Sequence, residues 1–95
     1  MDNPRLRTAV AYPITPQAQQ RACDAWNEDN PPGTVVALMR DNGQTDIRRT
    51  TSAAYLLGGH TAVIHMAGVS GCYALDRVSR CADQTLVPVS ERVPA

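Results

Sequence analysis

Gly33-Thr34-Val35-Val36-Ala37-Leu38-Met39-Arg40-Asp41-Asn42-Gly43-Gln44-Thr45-Asp46-Ile47-Arg48-Arg49 is the stretch whose reading decides the fold. In an extended chain successive side chains point to opposite faces, so Val35, Ala37 and Met39 line one face and Val36 and Leu38 the other. Both faces are apolar. Such a strand is central, or sits in a small barrel where one face fills the interior and a helix covers the other. Asp41-Asn42-Gly43 predicts a hairpin, type I′ if Asn42 and Gly43 both take positive φ, with residues 45–51 as the return strand.

Upstream, Thr15 offers a capping hydroxyl and Pro16 a pre-set φ, and Ala18, Ala22, Ala25 and Trp26 recur at helical spacing. This predicts a helix over 15–30, stopped by Pro31-Pro32-Gly33 and placed as the cover for the first strand. Residues 1–14 read as a loose arm with a short extended piece at 8–12.

Downstream, Ser52 predicts a short helical turn over 53–57, ended by Gly58-Gly59. A strand at 60–67, a loop at Gly68-Val69-Ser70-Gly71 and a strand at 72–75 follow. Asp76-Arg77-Val78 reads as a tight 3₁₀ turn before a last edge strand at 86–89, which contains Pro88, and residues 90–95 as a frayed end. The expected fold is mainly β within the α+β class: an N-terminal helix packed on a five-stranded, SH3-like antiparallel β-barrel. One domain would then span 15–95, with the helix at 15–30 and the barrel at 33–90. A split ferredoxin-like arrangement would need a second full helix, which 53–57 is too short to supply.

The composition narrows the function. A chain of 95 residues has room for one core, and with 43% hydrophobic but only 4% aromatic residues that core is aliphatic. Nine basic and nine acidic residues cancel, which leaves no general field for nucleic acid or an anionic membrane. Every basic residue is arginine, as the GC-rich coding of an Ala- and Arg-rich chain produces. The residues up to Ile14 lack the continuous apolar run of a signal peptide, and runs such as 35–39 and 53–57 are too short to span a bilayer. Cys23, Cys72 and Cys81 are odd in number and show no C-x-x-C spacing, so reduced thiols and a cytoplasmic location are expected.

Pro32-Gly33-Thr34-Val35-Val36, Thr51-Ser52-Ala53-Ala54, Leu57-Gly58-Gly59-His60-Thr61-Ala62-Val63-Ile64 and Gly71-Cys72-Tyr73-Ala74-Leu75-Asp76-Arg77-Val78 resemble small uncharacterised proteins of phages and prophages. The resemblance runs from about Trp26 to Val78 and rests on turn and core positions. It implies a compact β fold and a mobile-element origin, and no reaction.

Chemistry-bearing residues are few. His60, His65, Cys72 and Cys81 match no standard zinc spacing, although His65 and Cys72 come close if their strands pair. Cys72, His65 and Asp76 supply the residue types of a thiol nucleophile, base and orienter, but no motif places them. Gly58-Gly59 and Gly68-x-x-Gly71 do not open a helix after a strand, as a nucleotide fingerprint must, and read as turn glycines. Arg48 and Arg49 point to opposite faces, so only one can join Arg40 in a phosphate-binding patch. No catalytic residue, cofactor or metal site is assigned, and Arg40, Arg48, Arg49, His60 and His65 remain as the expected interaction surface. The expectation is a non-catalytic interaction protein of phage or mobile-element origin that binds a host macromolecule, such as a defence or transcription component. A small nucleic-acid-binding module is the alternative, and a homodimer through a sheet edge is a further arrangement.

Overall fold

A computed structural model describes residues 15–91. The expected arm 1–14, with its extended piece, and residues 92–95 lie outside them. The described chain is mainly β: one α-helix and two three-stranded antiparallel sheets.

Helix α1 (Pro16–Asp29) starts as its sequence dictates, with the Thr15 hydroxyl accepting from the Ala18 N–H at 3.1 Å. At its other end the Asn30 N–H donates to the Trp26 carbonyl, which also accepts from the Asn30 side chain. Pro31-Pro32 then carries the chain to Gly33 at φ +99°. There the Gly33 and Thr50 N–H groups donate to the Thr50 and Thr34 carbonyls.

Strand β1 (Val35–Met39) is central in the first sheet, flanked by β2 (Thr45–Arg49) and β6 (Val78–Arg80). The hairpin at Asn42-Gly43 forms, but not as type I′. Gly43 takes φ +86° and no non-glycine residue among those described takes positive φ. The Gly43 N–H bonds the Arg40 carbonyl and the Arg40 N–H bonds the Gln44 carbonyl. This is the three-residue loop in which a tight turn is followed by one left-handed glycine.

The second sheet has the order β3 (Tyr55–Leu57), β4 (Thr61–His65), β5 (Cys72–Ala74). The helical turn expected over 53–57 is instead β3. Both backbone groups of buried Ala54 are taken by the Asn27 side chain on α1, N–H to Oδ1 at 2.8 Å and carbonyl to Nδ2 at 3.0 Å. Tyr55 then pairs with Val63 and Leu57 with Thr61. Gly58 and Gly59, at φ +63° and +81°, turn the chain back into β4 rather than cap a helix.

The 3₁₀ turn forms at Leu75–Arg77 and leads directly into β6. The last strand is therefore Val78–Arg80, not 86–89. Val78 pairs with Leu38 and Arg80 with Val36, while Leu86 and Val87 are exposed and Pro88 is fully buried. Residues 90 and 91, expected to fray, belong to a second 3₁₀ turn, Val89–Glu91, with the Glu91 N–H on the Pro88 carbonyl.

Thr50 and Met66 form one bridge that joins the sheets, supported by Thr51 N–H to His65 O and Ala67 N–H to Arg49 O. Apart from this bridge the two sheets do not close on each other among the described residues. Cys23 of α1, Val36, Leu38, Ala54, Ala62, Ile64, Met66 and Val78 make the core, with Trp26, Leu56, Tyr73 and Leu75 against it. The helix packs mainly over β3 and β4, not over the outer face of β1 as expected. Fully buried Val35, on that outer face, has its N–H bound to Gln84 Oε1 at 2.7 Å and its carbonyl to Gln84 Nε2 at 2.8 Å.

Candidate interaction surface

The two sheets differ in charge. The strands of the first carry Asp46, Arg48, Arg49 and Arg80. Those of the second contain no Asp, Glu, Lys or Arg. Residues paired across antiparallel strands share a face, so the pairs Tyr55 with Val63, Leu57 with Thr61, His65 with Cys72 and Val63 with Ala74 put all seven on one side. Ala62 and Ile64 face the other way, into the core. The strands thus put no charge on the outer face, where two large apolar side chains are exposed, Tyr55 at 38% and Leu57 at 49%, while Val63 between the flanking strands is buried.

Its geometry is set by three neighbouring strands. The Tyr55 hydroxyl lies 2.8 Å from His65 Nε2, and the two rings stack with centroids 5.7 Å apart and planes 15° from parallel. His65 faces Cys72 directly in register. Desolvation first, and then the neighbouring Cys72, push the Tyr55 hydroxyl above its ordinary 10.0. The His65 N–H donates to the Ser52 hydroxyl, which ties the strand to the kink before β3.

The arginines are arranged differently. Arg48 and Asp46 share the face of Val36 and Leu38, so Arg48 turns toward the core side and is only 13% exposed. Its guanidinium donates to the Ala67 carbonyl at 3.2 Å and to Asp46 at 3.3 Å. Arg40 lies over the Tyr73 ring, 5.6 Å from the centroid, and 3.8 Å from the same Asp46 carboxylate. Arg49 points to the opposite face, where it meets Glu91 at 2.6 Å and the Gly33 carbonyl at 3.1 Å. Arg40 and Arg48 therefore come together through Asp46, and Arg49 stands apart, as the alternation of a strand requires.

His60 is exposed in the glycine turn with Nδ1 on the Thr61 hydroxyl, at the far end of β4 from His65. Cys81 follows β6 beside the first sheet, its N–H on the Val35 carbonyl. The ring nitrogen of His65 contacts Tyr55, not the Asp76 of the nucleophile arrangement. Among the described residues, no group of three or more His, Cys, Asp and Glu side chains gathers as a metal site. No described helix is long and apolar enough to cross a membrane.

Sequence reasoning located His65 but missed Tyr55 and Leu57 as surface residues, because it read their segment as a helical turn. The period-two spacing of Tyr55 and Leu57 was the available signal. Comparison with protein-family models, curated proteins and solved structures returns no match.

Proposed function

We propose that this chain is a non-catalytic interaction protein that docks a host protein on the outer face of the β3–β4–β5 sheet. The observation that carries the reading is that face: no charged residue on its strands, with Tyr55 and Leu57 exposed on it. A surface without charge matches an uncharged, largely apolar protein patch, and it neither steers nor neutralises a phosphate backbone or anionic lipid. Tyrosine flanked by aliphatic contacts is also the side-chain type that dominates protein interfaces.

The resemblance to phage and prophage proteins favours a bacterial host partner, hence a cytoplasmic site of action. The 3₁₀ turn that feeds β6 back onto β1 supports an SH3-like arrangement, a framework in which short strands hold a flat binding face. Nucleic-acid binding is the weaker reading, since Arg40, Arg48 and Arg49 are each engaged within the chain.

Hydrogen exchange on the complex isolated from nuclease-treated host lysate tests the proposal. Slowed exchange across residues 55–65 and 72–74, at one partner per chain, is the expected result. Protection confined to β2 or α1, or a complex dissolved by the nuclease, overturns it.

A further inference from the structure

Independently of any host partner, one sheet edge is left ready to pair with a further strand. His65 turns its carbonyl away from β5, to the Thr51 N–H, so by alternation Ile64 is the residue of β4 that bonds β5, through its partner Tyr73. Cys72 and Ala74 therefore point their N–H and C=O groups outward, where they meet no partner among the described residues. The other three edges are blunted. On β2 the Arg49 carbonyl is taken by the Ala67 N–H, and the strand carries Asp46, Arg48 and Arg49. Beside β3 the Ala54 peptide is held by Asn27, and on β6 the Val78 N–H turns back to the Leu75 carbonyl while Arg80 adds a charge. Strand β5, Cys72-Tyr73-Ala74, has neither a charge nor a proline, the residues with which sheets discourage edge pairing.

We propose that two copies of this chain pair antiparallel through β5, about a twofold axis at Tyr73. The ends of the strand fix the register. Gly71, at φ +76°, bends the chain on one side and the 3₁₀ turn from Leu75 on the other, which leaves Cys72 and Ala74 to bond. Centred on Tyr73, Cys72 of each copy faces Ala74 of the other, and each such pair exchanges both of its N–H···O bonds. Small, uncharged side chains then lie opposite one another and no like charges are opposed. The axis stands perpendicular to the sheet, so the outer faces of both copies lie on the same side of one continuous sheet and double the surface that carries Tyr55 and Leu57.

The test needs only the purified, reduced chain, so its failure leaves host docking standing. Amide exchange is followed by NMR at about 50 µM and about 1 mM chain, and exchange at Cys72 and Ala74 should slow by about threefold or more through mass action, with Ile47 and Leu56 on other edges unchanged. Ala74→Cys under mild oxidation gives a second reading, because directly opposed residues have Cα atoms about 5.5 Å apart, within reach of a disulfide. A linked dimer is expected, joining Cys72 of one copy to the introduced thiol of the other, and adding Cys72→Ser should abolish it. Exchange at Cys72 and Ala74 that ignores concentration, slowing at Ile47 or Leu56 instead, or a disulfide mapped to Cys23 or Cys81 overturns the pairing.

Discussion

Gln84→Ala removes a side chain that acts as a strand. Its amide accepts from the Val35 N–H and donates to the Val35 and Cys81 carbonyls at 2.7–2.8 Å, completing the outer pairing of β1 where β6 has ended. Each such bond is worth about 1 kcal/mol net, and a buried donor left without a partner costs about 1–3 kcal/mol. Val35 has no exposure, so water cannot replace the amide. The expected loss is about 3–4 kcal/mol, a large share of the roughly 5–10 kcal/mol that stabilises a domain of this size. Tm should fall by about 12–30 °C. The assay is urea unfolding followed by far-ultraviolet circular dichroism and Trp26 fluorescence, with an unchanged slope confirming that only the midpoint moves. A loss below about 1 kcal/mol would refute the claim that this amide completes the sheet.

Three further outcomes follow from the same geometry. Asn27→Ala strips both hydrogen bonds from the buried Ala54 peptide and should cost about 2–4 kcal/mol in the same unfolding assay, against under 0.5 kcal/mol for exposed Glu28→Ala. Gly68→Ala places a Cβ 2.5 Å from Arg48 Nη1 and 2.9 Å from Ser90 Cβ, on backbone at φ +76°, whereas a Cβ at Gly43 meets nothing within 4 Å. The first should destabilise by about 2–3 kcal/mol and the second by about 1 kcal/mol, and equal effects would argue against the packed loop. Burial first, and then the neighbouring Asp24, hold the Cys23 thiol above its ordinary 9.0. The unfolded chain ionises this thiol first, so its contribution is complete below pH 9.0 and is lost as pH rises through the folded value. Urea midpoints compared between about pH 8 and pH 10 should drop less in Cys23→Ala than in the unmutated chain.

The helix and the first hairpin were legible because their signals are local: Thr15-Pro16 at one end, Pro31-Pro32-Gly33 at the other, and Asn42-Gly43 between two strands. Local chemistry did not fix the turn type, since only the glycine took the left-handed conformation. The segment at Tyr55–Leu57 was misread because a capping serine and two glycines frame either a helical turn or a strand and hairpin. A side chain 27 residues away, Asn27, decides between them. Val78–Arg80 was missed because Ser79 and Arg80 give an edge strand no apolar alternation, whereas Leu86 and Val87 advertised a strand that Pro88 and the packing of the last turn do not allow. Of the expected surface, the opposed directions of Arg48 and Arg49 and the outward His65 followed from strand alternation. The pairing of each arginine with a carboxylate, and the meeting of Tyr55, His65 and Cys72, depend on strand register and could not be read from spacing alone.

The outer face of the second sheet is tested most directly by the affinity of the reconstituted complex between the purified partner and chains altered at Leu57 or Arg49. Leu57 is exposed at the end of β3, so Leu57→Asp leaves the core intact while placing a charge on the docking face. A charge forced into an apolar interface costs at least about 2 kcal/mol, so calorimetry should show Kd raised by about 30-fold or more, with Arg49→Ala within about twofold of the unmutated chain. Undiminished binding by Leu57→Asp, or a loss on Arg49→Ala that grows as salt is lowered, would contradict the account and move the working surface to the arginines.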